Sequence, residues 1–268
     1  MSDAENPLPS LVFAHANGVP DHSYDTFLAP LADAYQIHVV PCLGHNPAYP
    51  VDDNWHSLSL ELEAHLATLP KPLVGVGHSM GAVLMFLVAQ RHPQWFSKLA
   101  MLDPPLINGV YAPMMRTAQL LGLQDSVTPA GKSKGRLDHW ATWADVESYF
   151  RSRGLFKAFD PRCLDDYLHA GVEKVGGGYA LRFKVEVEVA VFRRTPTAVT
   201  SMPRLQVPGT LITGRHSPKA FHTCGARHAK RHGMHHCYAA GSHMFPLEQP
   251  EATAELLRDA LAQLESAQ

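Results

Sequence analysis

Short apolar runs alternate with amphipathic stretches through most of the chain. The runs at 11–15, 37–42, 73–76, 99–102, 209–213 and 236–240 are of strand length and largely apolar, as strands covered on both faces are. Between them, Leu58, Leu62, Leu66 and Leu69 recur at helical spacing over 57–69. The stretch 81–91 reads as a helix buried on most sides, and Leu256, Leu257, Leu261 and Leu264 stripe a final helix over about 250–264. Strands that alternate with helices predict βα units and a mostly or fully parallel six-stranded sheet flanked by helices.

The segment 104–208 breaks this rhythm. It gathers Trp140, Trp143, Tyr149, Phe150, Phe156 and Phe159, several helical patterns and a turn at Gly176-Gly177-Gly178. The pattern predicts a mainly helical cap, 104–208, inserted into a core made of 1–103 and 209–268. After the glycine turn, Phe183, Val185, Val187 and Val189 alternate with Arg182, Lys184, Glu186 and Glu188. That alternation predicts a strand, with a helix beginning inside the run as the alternative.

At 268 residues and 46% hydrophobic content, the chain can bury a full core, as one large domain or as a core with a cap. Its 23 basic and 25 acidic residues leave a net charge of -2, too little to draw nucleic acid or an anionic membrane, so small-molecule partners are expected. Residues 1–10 lack the basic start and apolar run of a secretory signal, and the longest apolar stretch, 82–89, cannot span a bilayer. Cys42, Cys163, Cys224 and Cys237 are too scattered for a disulfide framework. A cytoplasmic protein with reduced thiols is the expectation.

Chemistry enters at 73–81, which reads LVGVGHSMG and runs into the apolar helix AVLMFLVAQ. This is the strand, sharp turn and helix of a G-x-S-x-G nucleophile elbow around Ser79. A turn that tight brings neighbouring chain so close that Gly77 and Gly81 have no room for side chains. The helix that follows aims its N–H groups and positive dipole end at the serine. A chemically silent glycine turn would need neither the strand before it nor the helix after it. A serine hydroxyl is a weak nucleophile and requires a base. His243, in YAAGSHMFPLEQP between the last strand and the last helix, is placed to serve.

The first strand ends in FAHANG, and with the elbow and the C-terminal histidine the chain resembles the α/β-hydrolase superfamily over 11–104 and from 209 to the end. The cap resembles no family we can name. The resemblance implies an oxyanion hole built from the backbone N–H groups of Asn17 and Met80, with the Asn17 side-chain amide as a further donor. Ala16 departs from the glycine usual at its place. Many relatives begin with two further strands, one of them antiparallel; only ten residues precede the first strand here, so a truncated, possibly all-parallel sheet is expected.

The acid also departs from the family pattern. Relatives commonly carry it in a stretch resembling L-I-x-G-x-x-D; here the stretch is Leu211-Ile212-Thr213-Gly214-Arg215-His216-Ser217, with serine at the carboxylate's place. Asp103, after the strand that follows the nucleophile, is the expected substitute, and some dehalogenases resemble this arrangement. Asp138 and Asp145 in the cap are the alternatives, and an Asp-Pro turn into the cap is the bland reading of Asp103.

Cys224, His228 and His232 share one helical face, which is metal-ligand spacing, yet no second ligand pair accompanies them. A solvent-facing polar stripe is the expectation, with no metal and no cofactor. Together these residues predict a serine hydrolase, carboxylesterase-like, that cleaves a small ester or related acyl substrate through an acyl-enzyme. The cap aromatics are expected to wall an apolar pocket. Thioesters, lactones, amides and carbon-carbon bonds are alternatives on the same site, and a slow-turnover ligand-binding receptor is the alternative of another class.

Overall fold

The computed structural model describes residues 8–265; residues 1–7, part of the stretch read as lacking a secretory signal, lie outside them. Strand β1 (Ser10–Ala14) is buried along its whole length because it has parallel neighbours on both sides, β2 (Gln36–Val39) and β3 (Leu73–His78). Further out lie β4 (Phe96–Leu102), β8 (Gly209–Gly214) and β9 (His235–Ala239). All six run parallel in the order β2-β1-β3-β4-β8-β9, the expected all-parallel sheet.

Both faces of the sheet are covered, so the central strands β1 and β3 are buried along their whole length. Leu11, Phe13 and Val76 point to one side with Leu257 and Leu261, whereas Val12, Ala14 and Leu99 point to the other with Leu62 and Phe86. Helices α1 (His56–Ala67) and α2 (Met80–Arg91) lie on the second side.

Register places the functional loops. Ala14 pairs with Gly77, His78 with Leu102, Leu102 with Ile212 and Gly214 with Ala239. The residues just beyond these pairs leave the sheet side by side at its carboxyl edge.

Between β4 and β8 the chain forms α3 (Tyr111–Leu120), α4 (Trp143–Ser152), α5 (Pro161–Gly171), α6 (Val185–Arg193) and several shorter helical turns. It also forms a small antiparallel sheet, ordered β5-β7-β6, from β5 (His139–Trp140), β6 (Val172–Val175) and β7 (Gly178–Leu181). The glycine run turns the β6–β7 hairpin, with Gly177 at φ 89°.

The strand expected over 183–189 is instead largely helix α6, the alternative reading. Glu186 and Glu188 lie in its first turn and Arg193 in its last, the charge order that the helix dipole favours. Glu188, Val189 and Val191 form its buried side, a stripe that the Val/Glu alternation conceals.

Several of the segment's aromatic side chains pack on one another and on the core: Phe150 lies 5.5 Å from Trp140, 5.0 Å from Phe156 and 5.3 Å from Tyr167, centroid to centroid. Of them, Trp140 and Tyr149 line a cavity of about 410 Å³ whose lining residues include neither Ser79 nor His243. His243 is met by the His78 ring at 5.3 Å and by that of Phe221, from helix α7 (Lys219–His232), at 5.0 Å. A last helix, α8 (Pro250–Gln263), closes the first face. Among the described residues no helix is long and apolar enough to cross a membrane, and the four cysteines are unpaired.

Candidate functional site

The elbow is as tight as its glycines require. A Cβ on Gly77 would lie 2.5 Å from the Ala82 nitrogen, and one on Gly81 would lie 2.2 Å from the Ala14 carbonyl oxygen. Between them Ser79 is held at φ 53° and ψ -116°, a costly conformation for a residue with a side chain. Its backbone N–H donates to the Leu102 carbonyl at 2.8 Å, which ties the turn to the neighbouring strand.

Ser79 Oγ lies 3.0 Å from His243 Nε2, and His243 Nδ1 lies 2.7 Å from Asp103 Oδ2. The two N···O distances join three residues whose strands leave the sheet at one edge. Asp103 is wholly buried at φ 42° and stays aligned because its own N–H donates to the Ile212 carbonyl at 2.8 Å. Its carboxylate also accepts from the Gly214 N–H at 3.2 Å and the Ser217 hydroxyl at 2.7 Å. Ser217, the residue expected to be a carboxylate by resemblance, thus donates to the Asp103 carboxylate. With a carboxylate at Nδ1, that nitrogen carries the proton and Nε2 is free to accept one from the serine.

Sequence reasoning missed a second set of contacts. Tyr24 and His78 are both fully buried. The Ala16 N–H donates to the Tyr24 hydroxyl at 3.3 Å, Tyr24 lies 2.7 Å from His78 Nδ1, and His78 Nε2 lies 2.8 Å from the His243 carbonyl oxygen. Nε2 therefore donates to that carbonyl and Nδ1 accepts from tyrosine. Burial, reinforced by the nearby His243, pushes His78 down to about 3, which keeps it neutral. This chain of bonds links the loop after β1, the elbow and the His243 loop. The only sequence signal was a histidine in the variable second place of the elbow.

In the loop after β1, His15 is buried: its Nδ1 lies 2.8 Å from the Ala16 carbonyl, and its Nε2 accepts from the Leu43 N–H at 3.0 Å. The flanking amides of Ala16 and Gly81 are hydrogen-bonded, whereas those of Asn17 and Met80 have no partner among the described turn and loop hydrogen bonds. The Asn17 side chain, expected to reach the site, donates instead to the Glu188 carbonyl at 3.0 Å.

The Cys224, His228 and His232 face is also corrected. It is buried, with the two imidazoles each 4.8 Å from the Phe86 ring and 4.3 Å from one another. No group of three or more such side chains that could hold a metal ion occurs among the described residues.

Comparison with known proteins bears on the family and the fold. The type I acyl-CoA thioesterase mpaH of Penicillium roqueforti (strain FM164) is 28% identical over 183 residues, which cover 60% of this chain and 40% of that protein. The mpaH' thioesterase of Penicillium brevicompactum is 30% identical over 115 residues, 42% of this chain and 24% of that protein. The chain thus spans less than half the length of these curated relatives. Among solved structures, the peroxisomal alpha-beta-hydrolase Lpx1 of Saccharomyces cerevisiae superposes with a TM-score of 0.75 at 15% identity, over 100% of this chain and 81% of that one. The thioesterase domain from the curacin biosynthetic pathway gives 0.69 at 20% identity, over 93% and 90%. At these identities the likeness is one of fold. A family model described as the alpha/beta hydrolase family matches residues 11–256, nearly the whole chain, and the protein is accordingly a member of the alpha/beta hydrolase family.

Proposed function

We propose that the protein is a serine hydrolase that cleaves a small ester or thioester through an acyl-enzyme on Ser79. The observation that carries this reading is the line from Ser79 Oγ through His243 to Asp103, with contacts of 3.0 and 2.7 Å. His243 Nε2 takes the hydroxyl proton as Ser79 Oγ bonds to the substrate carbonyl carbon, and Asp103 stabilises the imidazolium. The tetrahedral oxyanion is met by the N–H groups of Asn17 and Met80, donors of a kind whose loss costs about 100- to 1000-fold in turnover. His243 returns the proton to the departing alcohol or thiol as the bond to it breaks. Water, deprotonated by the same imidazole, then attacks the acyl carbon and releases the acid and free Ser79. Residues 104–208 act as the cap over this site.

Similarity to proteins named as acyl-CoA thioesterases favours a thioester over an oxygen ester. A fluorophosphonate probe tests the nucleophile: mass spectrometry should find the label on Ser79, absent in Ser79→Ala and slowed by about 10⁴ in Asp103→Asn. Wild-type protein that takes no label overturns the reading. Label on Ser79 that is undiminished in Asp103→Asn moves the acid elsewhere.

A further inference from the structure

A cavity of about 370 Å³ lies beside α7, lined by Arg116, Arg227 and Arg231 together with Asn108, Thr197 and Thr200, and no Asp or Glu is among its lining residues. Elsewhere Arg136, Arg193 and Arg258 each pair with a carboxylate. The three cavity arginines are oriented by neutral acceptors instead. Arg116 Nε donates to Thr197 Oγ1 at 3.1 Å, Arg227 Nη1 to Asn108 Oδ1 at 3.5 Å and Arg231 Nη2 to the Met202 carbonyl at 3.4 Å. Asn108, itself buried, is held by donating to Thr200 Oγ1 at 3.0 Å and the Cys224 carbonyl at 2.9 Å.

Three guanidinium groups held by neutral partners around one cavity leave their positive charge uncompensated. They offer hydrogen-bond forks that match phosphate oxygens. Position then selects the kind of phosphate. Phe221 meets the His243 ring at 5.0 Å, and Arg227 and Arg231 follow six and ten residues later on the same helix. At the rise of an α-helix they lie about 9 and 15 Å along its axis from that contact. A free metabolite phosphate gains nothing from such a distance, whereas an anion on a long arm joined to the reacting carbonyl would reach it.

We infer that this cavity binds the phosphate groups of a nucleotide-bearing thiol carrier, the leaving half of a coenzyme A thioester. The inference rests on the thioester reading of Ser79 and adds where the carrier docks. The bond cleaved is the acyl carbon to sulfur bond, and the carrier leaves as the free thiol with the proton from His243.

The test uses free coenzyme A, inorganic phosphate and two thioesters of one acyl group, on coenzyme A and on N-acetylcysteamine, which lacks phosphates. In the Arg227→Gln/Arg231→Gln variant, calorimetric binding of coenzyme A should weaken at least ten-fold. KM for the coenzyme A thioester should rise by a similar factor at unchanged kcat, with the N-acetylcysteamine thioester unaffected. Equal binding of coenzyme A by wild type and variant overturns the inference, as does inorganic phosphate bound as tightly as coenzyme A. If Ser79 cleaves oxygen esters and neither thioester, the thioester reading fails, and the calorimetric comparison still decides the cavity.

Discussion

Asp103 is a buried carboxylate with a crowded hydrogen-bond shell: Gly214 and Ser217 donate to it, and His243 lies against the oxygen that Ser217 uses. A hydrogen bond to a charged buried group is worth about 1.5–3 kcal/mol. Ser217→Asp, which reinstates the residue commonly found at that place, should therefore harm the protein. It sets a second carboxyl within reach of Asp103, and two carboxylates so close cannot both ionise, so the folded state holds a proton that the unfolded chain releases above its ordinary carboxylate range. The folded form binds more protons, and stability falls as pH rises. Urea unfolding of Ser217→Asp at pH 5 and pH 8 should show a larger deficit against wild type at pH 8, with kcat/KM reduced. A variant as stable and as active as wild type at pH 8 would contradict this account of the acid.

At the scale of elements, α7 carries a built-in acid sensitivity. Burial, with His232 adding to it, pushes His228 down to about 3, and burial lowers His232 as well. Between about 6.5 and 3 the unfolded chain takes up protons that the folded helix refuses, so stability is present above that window and drains away as pH falls through it. The expected slope is about 1.4 kcal/mol per pH unit for one such histidine. His228→Gln should flatten the pH dependence of unfolding between 6.5 and 4.5 by about that amount; an unchanged slope would show that His228 is not the titrating group. The same helix marks how far the sequence could be read. Spacing put Cys224, His228 and His232 on one face, but histidine counts as polar in any pattern, so the burial of that face against Phe86 was hidden. In α6 the Val/Glu alternation fitted a strand as well as a helix, and only the packing of the chain around it decides. The elements around Ser79 were legible because their glycines answer a local steric demand. The pairing of Asp103 with His243 was legible through the serine at 217. Tyr24 and His78 were not, since their contact joins positions 54 residues apart in the chain.

For the whole molecule, the segment between β4 and β8 is bound into the core. Phe150, Leu164 and Tyr167 share one hydrophobic cluster with Phe13, Val76 and Leu257. Polar ties add to it: the Trp55 indole donates to the Val191 carbonyl at 2.9 Å, and the Thr26 N–H donates to Asp166 at 2.9 Å. The two parts should unfold together, with near-ultraviolet signals from Trp140 and Trp143, read in the Trp55→Phe/Trp95→Phe variant, and far-ultraviolet signals following one thermal transition. Two separated transitions would show that the segment unfolds on its own. Ser79 and Asp103 follow adjacent strands, β3 and β4, whose hydrogen bonds set their spacing. The turn between β8 and α7 keeps a lighter duty, the presentation of a hydroxyl to Asp103. Insertions there would reshape access to Ser79 and leave Asp103 where it is.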